Sequence, residues 1–504
     1  MKRLGCLLLV MLLLTVSALP VYGEDKPIVI HAFIYENAAV PYNSDWLAVK
    51  EACAKANVDL QLDFANSANL PSLSKLVADD SPYDVLLYQL CTAENLLFAS
   101  QGKLLNINDY RDYTPNFNKA VTDMNLEKEV ENVYLPDGGL YYMPSLFENP
   151  LQDRGLIVRK DVAEKLGYPN ISTYEELYQL LKAYKAENPQ STPLKISASF
   201  TIFMIMAGPS FGFTYQNYYA PLYYDYDAQK YVSCIADDGY RQFVEYFSKL
   251  SKEGLLAKDF QGQLDPDMWA QSMTSGDSIA TYAFYDQIAG LEEASDIEGY
   301  DLTMYVPPAG PDGSHCNSND VIGPGIMIPA SIQKRSDYKQ VISKLDELFF
   351  SDETTQIWAM GEEGKTYSVV DGKIVYDKKY VDTTGSAYKR LQLDAGCGVA
   401  GLQLVWKADR ERSKYGEEFA RINQQLQAMP DCMRRIPPNP KFEDDQAERV
   451  QILRSLLKSE FLNWTKQFLL GEKDVQEDWG AFENAMRDRG IEWLCNAYND
   501  ALAN

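Results

Sequence analysis

Residues 27–88 alternate apolar runs with a helical pattern, and that alternation decides the fold class. Pro27–Tyr35 reads as a buried strand. Asp45–Ala56 sets Trp46, Val49 and Cys53 at helical spacing. Val58–Phe64 alternates apolar and polar residues, the period of a half-buried strand. A short helix over Ser72–Asp80 leads to a third strand, Tyr83–Tyr88. Strands alternating with helices imply βαβ units, a largely parallel sheet and an α/β fold. Ligands in such sheets bind beyond the carboxyl ends of the strands. Tyr35-Glu36 and Tyr88-Gln89 stand at two such ends.

The residues ahead of this body read as an address. Lys2 and Arg3 precede an apolar run, Leu4–Val16, and Val21 and Gly23 fit the small −3 and −1 positions of a cleavage site. Residues 1–23 are therefore expected to be a signal peptide, with the mature chain starting at Glu24. The run is short of the ~20 apolar residues that a membrane span needs. Cys6 lies at the front of this run, whereas a lipobox cysteine would follow it, so lipid anchoring is not expected. Seven further cysteines (Cys53, Cys91, Cys234, Cys316, Cys397, Cys432, Cys495) are scattered without a CxxC spacing. Export permits disulfides, and an odd number leaves at least one thiol unpaired.

Charge and composition remove several function classes. The chain has 504 residues and a formal net charge of −25. Phosphate-led nucleic-acid binding needs a basic face, so no nucleic-acid partner is expected. Two histidines rule against a multi-histidine metal site, and no cofactor or metal is expected. Tyrosine supplies 34 of the aromatic residues, beside 20 Phe and 7 Trp. Seven of them fall between Tyr215 and Tyr231, either as a structural ring cluster or as part of a ligand wall.

Catalytic motifs are weak. Gly208-Pro209-Ser210-Phe211-Gly212 spells G-x-S-x-G, but a nucleophile elbow needs a following helix and a later histidine base. Only His315 could serve, and Pro209 opposes the strained turn. Asp312–Asp320 is acidic but lacks the glycine and glutamate of an EF-hand loop. An enzyme is not expected.

Farther along, Asp137-Gly138 and Asp371-Gly372 between apolar flanks mark hairpins. Leu156–Arg159 is strand-like, Asp161 is placed to cap a helix to Leu166, and Ser172 or Thr173 to cap one running to about Glu187. Asp337–Phe350 is an amphipathic helix. Val450, Leu453, Leu457, Phe461, Trp464 and Phe468 form one apolar helical face, with Gly471 placed to end it.

Several of these segments together resemble the extracellular solute-binding proteins of ABC importers, in their large, carbohydrate-type, lipoprotein-like subgroup. Tyr83-Asp84-Val85-Leu86 with Gly102-Lys103-Leu104 resembles the family's "DV…G.L" segment. Gly139–Pro144, Val158–Asp161 and Ser275–Ala280 resemble its "G-x-x-Y-x-x-P", "R-K-D" and "G-x-x-A-M" stretches. Gly361–Tyr367 resembles a "G-x-E-G-K-x-Y" hairpin, and Phe468–Lys473 with Trp479 resembles the family's ending. Some relatives carry an Asp/Asn-rich calcium loop after the helix ending here near Glu187. Asn188–Pro193 lacks that pattern, so no such calcium is expected.

The resemblance implies a two-lobed periplasmic-binding-protein type II-like fold with a hinge and an interlobe ligand cleft. The lobes are expected at 24–142 plus 276–348 and at 143–275 plus 349–504. It implies a receptor that closes on a sugar or oligosaccharide and delivers it to an ABC transporter permease. A secreted sensory or adhesive binding protein, or a carbohydrate-active enzyme, are the alternatives. The expected ligand-binding residues are Tyr35, Glu36, Tyr88 and Gln89 at strand ends, Phe147 and Glu148 at the hinge exit, Phe284 and Tyr285 after the strand entered at Gly276, and Trp406 in a late loop. The acidic surface disfavours an anionic ligand such as a uronate.

Overall fold

The structure, a computed structural model, describes residues 26–36, 40–65, 69–89, 93–135, 137–148, 152–197, 200–214, 221–236, 238–259, 266–317, 321–429, 432–434, 437–438, 440, 442 and 444–503. The expected signal peptide, Cys91, and Tyr215, Tyr218 and Tyr219 lie outside the described residues.

Two sheets organise the chain. β1 (Ile28–Tyr35) pairs in parallel with β2 (Val58–Ala65) along its whole length, from Ile28↔Val58 to Tyr35↔Ala65. Its other side pairs in parallel with β3 (Val85–Gln89). The helix Leu47–Ala56 connects β1 to β2, which is the βαβ unit read from the sequence. β4 (Met143–Phe147) joins the same sheet. The chain then builds a second sheet from β5 (Arg154–Arg159), β6 (Leu194–Ile196), β7 (Ala280–Phe284) and β8 (Leu302–Met304), in the order β8-β5-β7-β6. It returns to the first sheet with β9 (Ile322–Met327), antiparallel between β3 and β4, and β10 (Val405–Trp406), parallel to β4 at the edge. The first sheet is therefore mixed, in the order β10-β4-β9-β3-β1-β2.

Both sheets are covered on both faces, as strand alternation requires of an α/β fold. In β1, Ile30, Ala32 and Ile34 pack into one core with Ala48, Val49, Leu345 and Trp358, while Phe33 faces a second core with Leu76 and Leu104. In β5, Leu156 and Val158 join the aromatic core of Phe203, Phe243, Phe247 and Tyr282, while Ile157 faces Trp269, Ile288 and Phe419. The helix Asp444–Leu470 buries Val450, Leu457, Phe461 and Phe468 in that aromatic core, the face expected from spacing. Tyr223, Tyr224 and Tyr231 are buried there too, so this part of the tyrosine cluster is structural.

The sheets divide the chain at other places than the expected lobe boundaries. β4, expected in the 143–275 part of lobe two, lies in the first sheet. β7 and β8, expected in the 276–348 part of lobe one, lie in the second. β10, expected in lobe two at 349–504, lies in the first, and the preceding helix Asp352–Met360 packs onto that sheet's core. The cause is pairing. β4 bonds to β9 at Ile322↔Leu146 and Gly323↔Ser145, whereas β7 bonds to β5 along its length, from Arg154↔Phe284 to Val158↔Ala280.

Local signals fared variously. Thr173 is the N-cap of the helix Tyr174–Glu187: its hydroxyl accepts from Glu176 N at 3.1 Å, and the Glu176 carboxylate accepts from Thr173 N at 3.0 Å. Asp371 and Gly372, at φ 52° and 76°, supply the positive φ of the tight turn between Tyr367–Val370 and Lys373–Tyr376. Asp137-Gly138 makes a turn, and among the described residues no paired strands flank it. Asp161 does not cap its helix but pairs with Arg159 at 2.5 Å.

Candidate functional site

A cavity of about 910 Å³ lies between the two sheets. That is the upper end of the ~300–1,000 Å³ range of small-molecule sites. The carboxyl ends of β1 and β3 deliver Tyr35, Glu36 and Tyr88 to its wall, and the carboxyl end of β7 delivers Phe284 from the opposite side. Trp406, at the end of β10, completes the set of sequence-expected residues found there.

The rings are held in fixed pairs. Tyr35 and Tyr88 stack 6.3 Å apart with their planes 17° from parallel. Tyr88 sits at φ 59°, the left-handed region that a bulky residue rarely adopts. Gly401 closes on it: a Cβ there would lie 2.9 Å from the Tyr88 Cβ. Strain kept at a cavity wall is a common mark of a functional residue.

Trp406 rests on a buried charge pair. Its inner neighbour is Lys414, whose Nζ lies 5.3 Å from the Trp406 ring and 5.5 Å from the Tyr388 ring. Lys414 is fully buried and pairs with Glu411 at 2.8 Å, and Gln403 donates to the same carboxylate at 2.8 Å. Phe147 stacks on Trp406 at 5.3 Å and 16°.

Four expected residues therefore do other work. Phe147 backs Trp406 rather than lining the cavity. Glu148 accepts from Ala408 N at 2.9 Å, serving the first turn of the helix Ala408–Lys414. Gln89 pairs with Gly325 in the sheet and turns its amide back to the Leu87 carbonyl at 3.0 Å. Tyr285 is buried against Phe419 at 4.7 Å, and burial pushes its phenol up. Side chains alternate across a strand, so Phe284 facing the cavity turns Tyr285 away from it.

The sequence reading missed Trp269, Asp286, Tyr388, Lys389, Arg390 and Tyr415, which also line the cavity. They come from helices and irregular segments that only long-range contacts bring together. A π-turn at Leu391–Ala395 anchors that region, and Trp46 Nε1 donates to the Leu393 carbonyl at 2.7 Å. Two ion pairs cross from this segment to the helix Gln287–Ala294 and its N-cap residue under the second sheet: Lys389–Asp286 at 3.8 Å and Arg390–Glu293 at 3.1 Å. Burial pushes the Asp286 carboxyl up, and Lys389 opposes that shift.

The G-x-S-x-G motif is not assembled for nucleophilic attack. Ser210 is buried, and its hydroxyl exchanges hydrogen bonds with the backbone of His315, both at 3.1 Å, while the His315 ring meets the Asp312 carbonyl at 2.8 Å.

Comparison with known proteins defines the fold. The solved structure of the alginate-binding protein AlgQ2 without calcium matches at a TM-score of 0.73 and 18% identity, covering 95% of this chain and 99% of that one. An HMO-binding, ABC-transporter-associated solute-binding protein from Bifidobacterium longum infantis matches at 0.70 and 15% identity, covering 95% and 99%. The fold is thus that of the two-lobed extracellular solute-binding proteins. Among curated sequences, Lipoprotein LipO of Bacillus subtilis (strain 168) is 26% identical over 226 residues, 43% of this chain. That alignment spans 44% of LipO's own length. The polygalacturonan/rhamnogalacturonan-binding protein YtcQ of the same organism is 22% identical over 411 residues, 74% of this chain and 79% of that protein. No family model matches the sequence.

Proposed function

We propose that this chain is an extracytoplasmic receptor that binds a sugar or oligosaccharide between two closing lobes and passes it to an ABC transporter permease. The observation that carries this reading is the cavity, walled by ring faces from both sheets. Rings stack on the apolar faces of sugars, and carboxylates and amides hydrogen-bond to their hydroxyls. The similarity to carbohydrate-binding proteins supports the same reading.

The lobes in this proposal follow the sheets: one built on β1–β4, β9 and β10, the other on β5–β8 with the C-terminal helices. Ligand stabilises closure only by touching both lobes. Tyr35, Glu36, Tyr88 and Trp406 offer contacts from the first, and Phe284, Trp269 and Asp286 from the second. The role is binding rather than bond chemistry. Export through residues 1–23 places the receptor in the periplasm or outside the cell. No helix among the described residues is long and apolar enough to cross a membrane.

The test is a thermal-shift and calorimetric screen of residues 24–504 against oligosaccharides. Ligand at 100 times its Kd adds ~2.7 kcal/mol of stability. A saturable shift with the sugar recovered intact supports the receptor; recovery of cleaved sugar favours an enzyme; no shift with any sugar removes the carbohydrate reading.

A further inference from the structure

Among the described residues, five carboxylates line the cavity, Glu36, Asp153, Asp286, Glu293 and Asp382, against two cations, Lys389 and Arg390. Both cations are already engaged, Lys389 by Asp286 at 3.8 Å and Arg390 by Glu293 at 3.1 Å. The cations just behind the wall are engaged too: Arg154 by Asp153 at 2.8 Å and Lys414 by Glu411 at 2.8 Å. Glu36 and Asp382 accept instead from backbone N–H groups, Glu36 from Tyr42 at 2.9 Å and Asp382 from Thr384 and Ser386 at 3.0 Å. The segments outside the described residues between 37 and 431 contain no lysine or arginine in the sequence, so they add no cation.

From this balance we infer that the cavity takes a neutral oligosaccharide and rejects uronate-bearing ones, although YtcQ is named for polygalacturonan and rhamnogalacturonan. This rests on the receptor reading above. A uronate carboxylate entering here meets a surplus of like charge in a partly dry site, and recruiting Lys389 or Arg390 would strip Asp286 or Glu293 of its partner. A neutral sugar keeps both ion pairs and uses the ring faces of Tyr35, Phe284 and Trp406, with Glu36 accepting from its hydroxyls.

Calorimetry of the mature chain against neutral gluco-, xylo- and fructo-oligosaccharides, with oligogalacturonate of matched length beside them, decides it. Binding of a neutral sugar at least ~100-fold tighter than oligogalacturonate is expected, from the several kcal/mol that like-charge juxtaposition costs. Glu293→Gln frees Arg390, so this variant is expected to narrow that gap. Oligogalacturonate binding as tightly as the best neutral sugar overturns the inference and leaves the receptor reading standing. Failure of every sugar overturns both.

Cys316 and Cys432, both reduced thiols in this structure, form a separate pair. Cys316 N donates to the Cys432 carbonyl at 2.8 Å across the short parallel ladder Cys316–Asn317 with Met433–Arg434. Both side chains are buried in one core cluster, each with 1% exposure. We propose that the two are joined by a disulfide in the exported protein. The thiols give up two electrons and two protons, one S–S bond forms, and the disulfide of an oxidised dithiol carrier is broken to two thiols. Both thiols are shut away from solvent in the folded core, so this step belongs to the open chain, before the core closes. Mature chain refolded in a glutathione redox buffer, denatured, alkylated without reductant and digested is expected to yield a Cys316–Cys432 cross-linked peptide. Recovery of both cysteines alkylated overturns the proposal, whatever the protein's ligand.

Discussion

Tyr35 and Tyr88 lie ring on ring, 6.3 Å apart, at the ends of two adjacent parallel strands, and Tyr88 holds that position at φ 59°. The stack sets a flat apolar step in the wall of the cavity, and its second ring is bought with backbone strain.

Replacing Tyr88 separates those two effects. Tyr88→Ala removes the ring and keeps the strain; Tyr88→Gly removes both. Each variant is expected to lose about tenfold in ligand affinity, the worth of roughly one stacked ring. The glycine variant should be the more stable of the two by about 1 kcal/mol, because only glycine occupies this region without cost. Chemical denaturation of the pair checks it, and equal midpoints would show that the backbone there is relaxed.

Lys414 has no exposed side chain and faces Glu411 at 2.8 Å, so losing one member leaves the other charge buried alone. Lys414→Met is expected to cost ~3–5 kcal/mol, and Lys414→Met with Glu411→Leu clearly less. Urea unfolding of the single and double variants measures the difference. Quenching of Trp406 fluorescence by added sugar reports whether the ring keeps its place.

Arg390–Glu293 is about half exposed, so its worth to folding is small. Arg390→Gln should change stability by less than ~1 kcal/mol. In the proposed lobe division the pair runs from one lobe to the other, and its loss should shift the ligand-free protein toward an open form. Small-angle scattering is expected to show a larger radius of gyration for this variant without ligand and the parent value with ligand. An unchanged radius in both states would show that the pair does not restrain the lobes.

Asp346 is nearly inaccessible and accepts from Asn116 N, Asn116 Nδ2 and Phe117 N at 2.8–2.9 Å, which ties the helix Pro115–Asp123 to Tyr338–Phe350. Burial outweighs those donors and pushes its carboxyl up to about 6, from an ordinary 3.8. With the folded pKa above the unfolded one, the folded state holds the proton more tightly. Its stabilising contribution is full below the unfolded pKa and is lost as pH rises through about 6. The loss is on the order of 2–3 kcal/mol. Unfolding free energy measured from pH 4 to 7 should fall over this window and fall less in Asp346→Asn.

The sequence made β1, β2 and β3 readable because their alternation and the helix between them are local. It placed Tyr35, Glu36 and Tyr88 at the cavity through the strand-end rule alone. Sheet membership was not readable: Met143–Phe147 and Ala280–Phe284 are both short apolar runs, and only their partners distinguish them. The two-residue strand Val405–Trp406 carries no period at all. Tyr388 and Lys389 reach the wall just before a π-turn that Trp46, more than three hundred residues earlier, holds by a hydrogen bond to Leu393.

The return of the chain to its first sheet at Val405–Trp406 also governs how the protein is made. β1 and β10 belong to one sheet, whose final strand leaves the ribosome some tens of seconds after its first, at ~5–20 residues per second. The second sheet waits longer still, for the helices that end at Ala503. The first half lacks its edge strand until Trp406 is made and the second its helical cover until Ala503, and contacts of such long sequence separation form slowly. Completion of the fold is therefore an event of the last stretch of chain, not of the first.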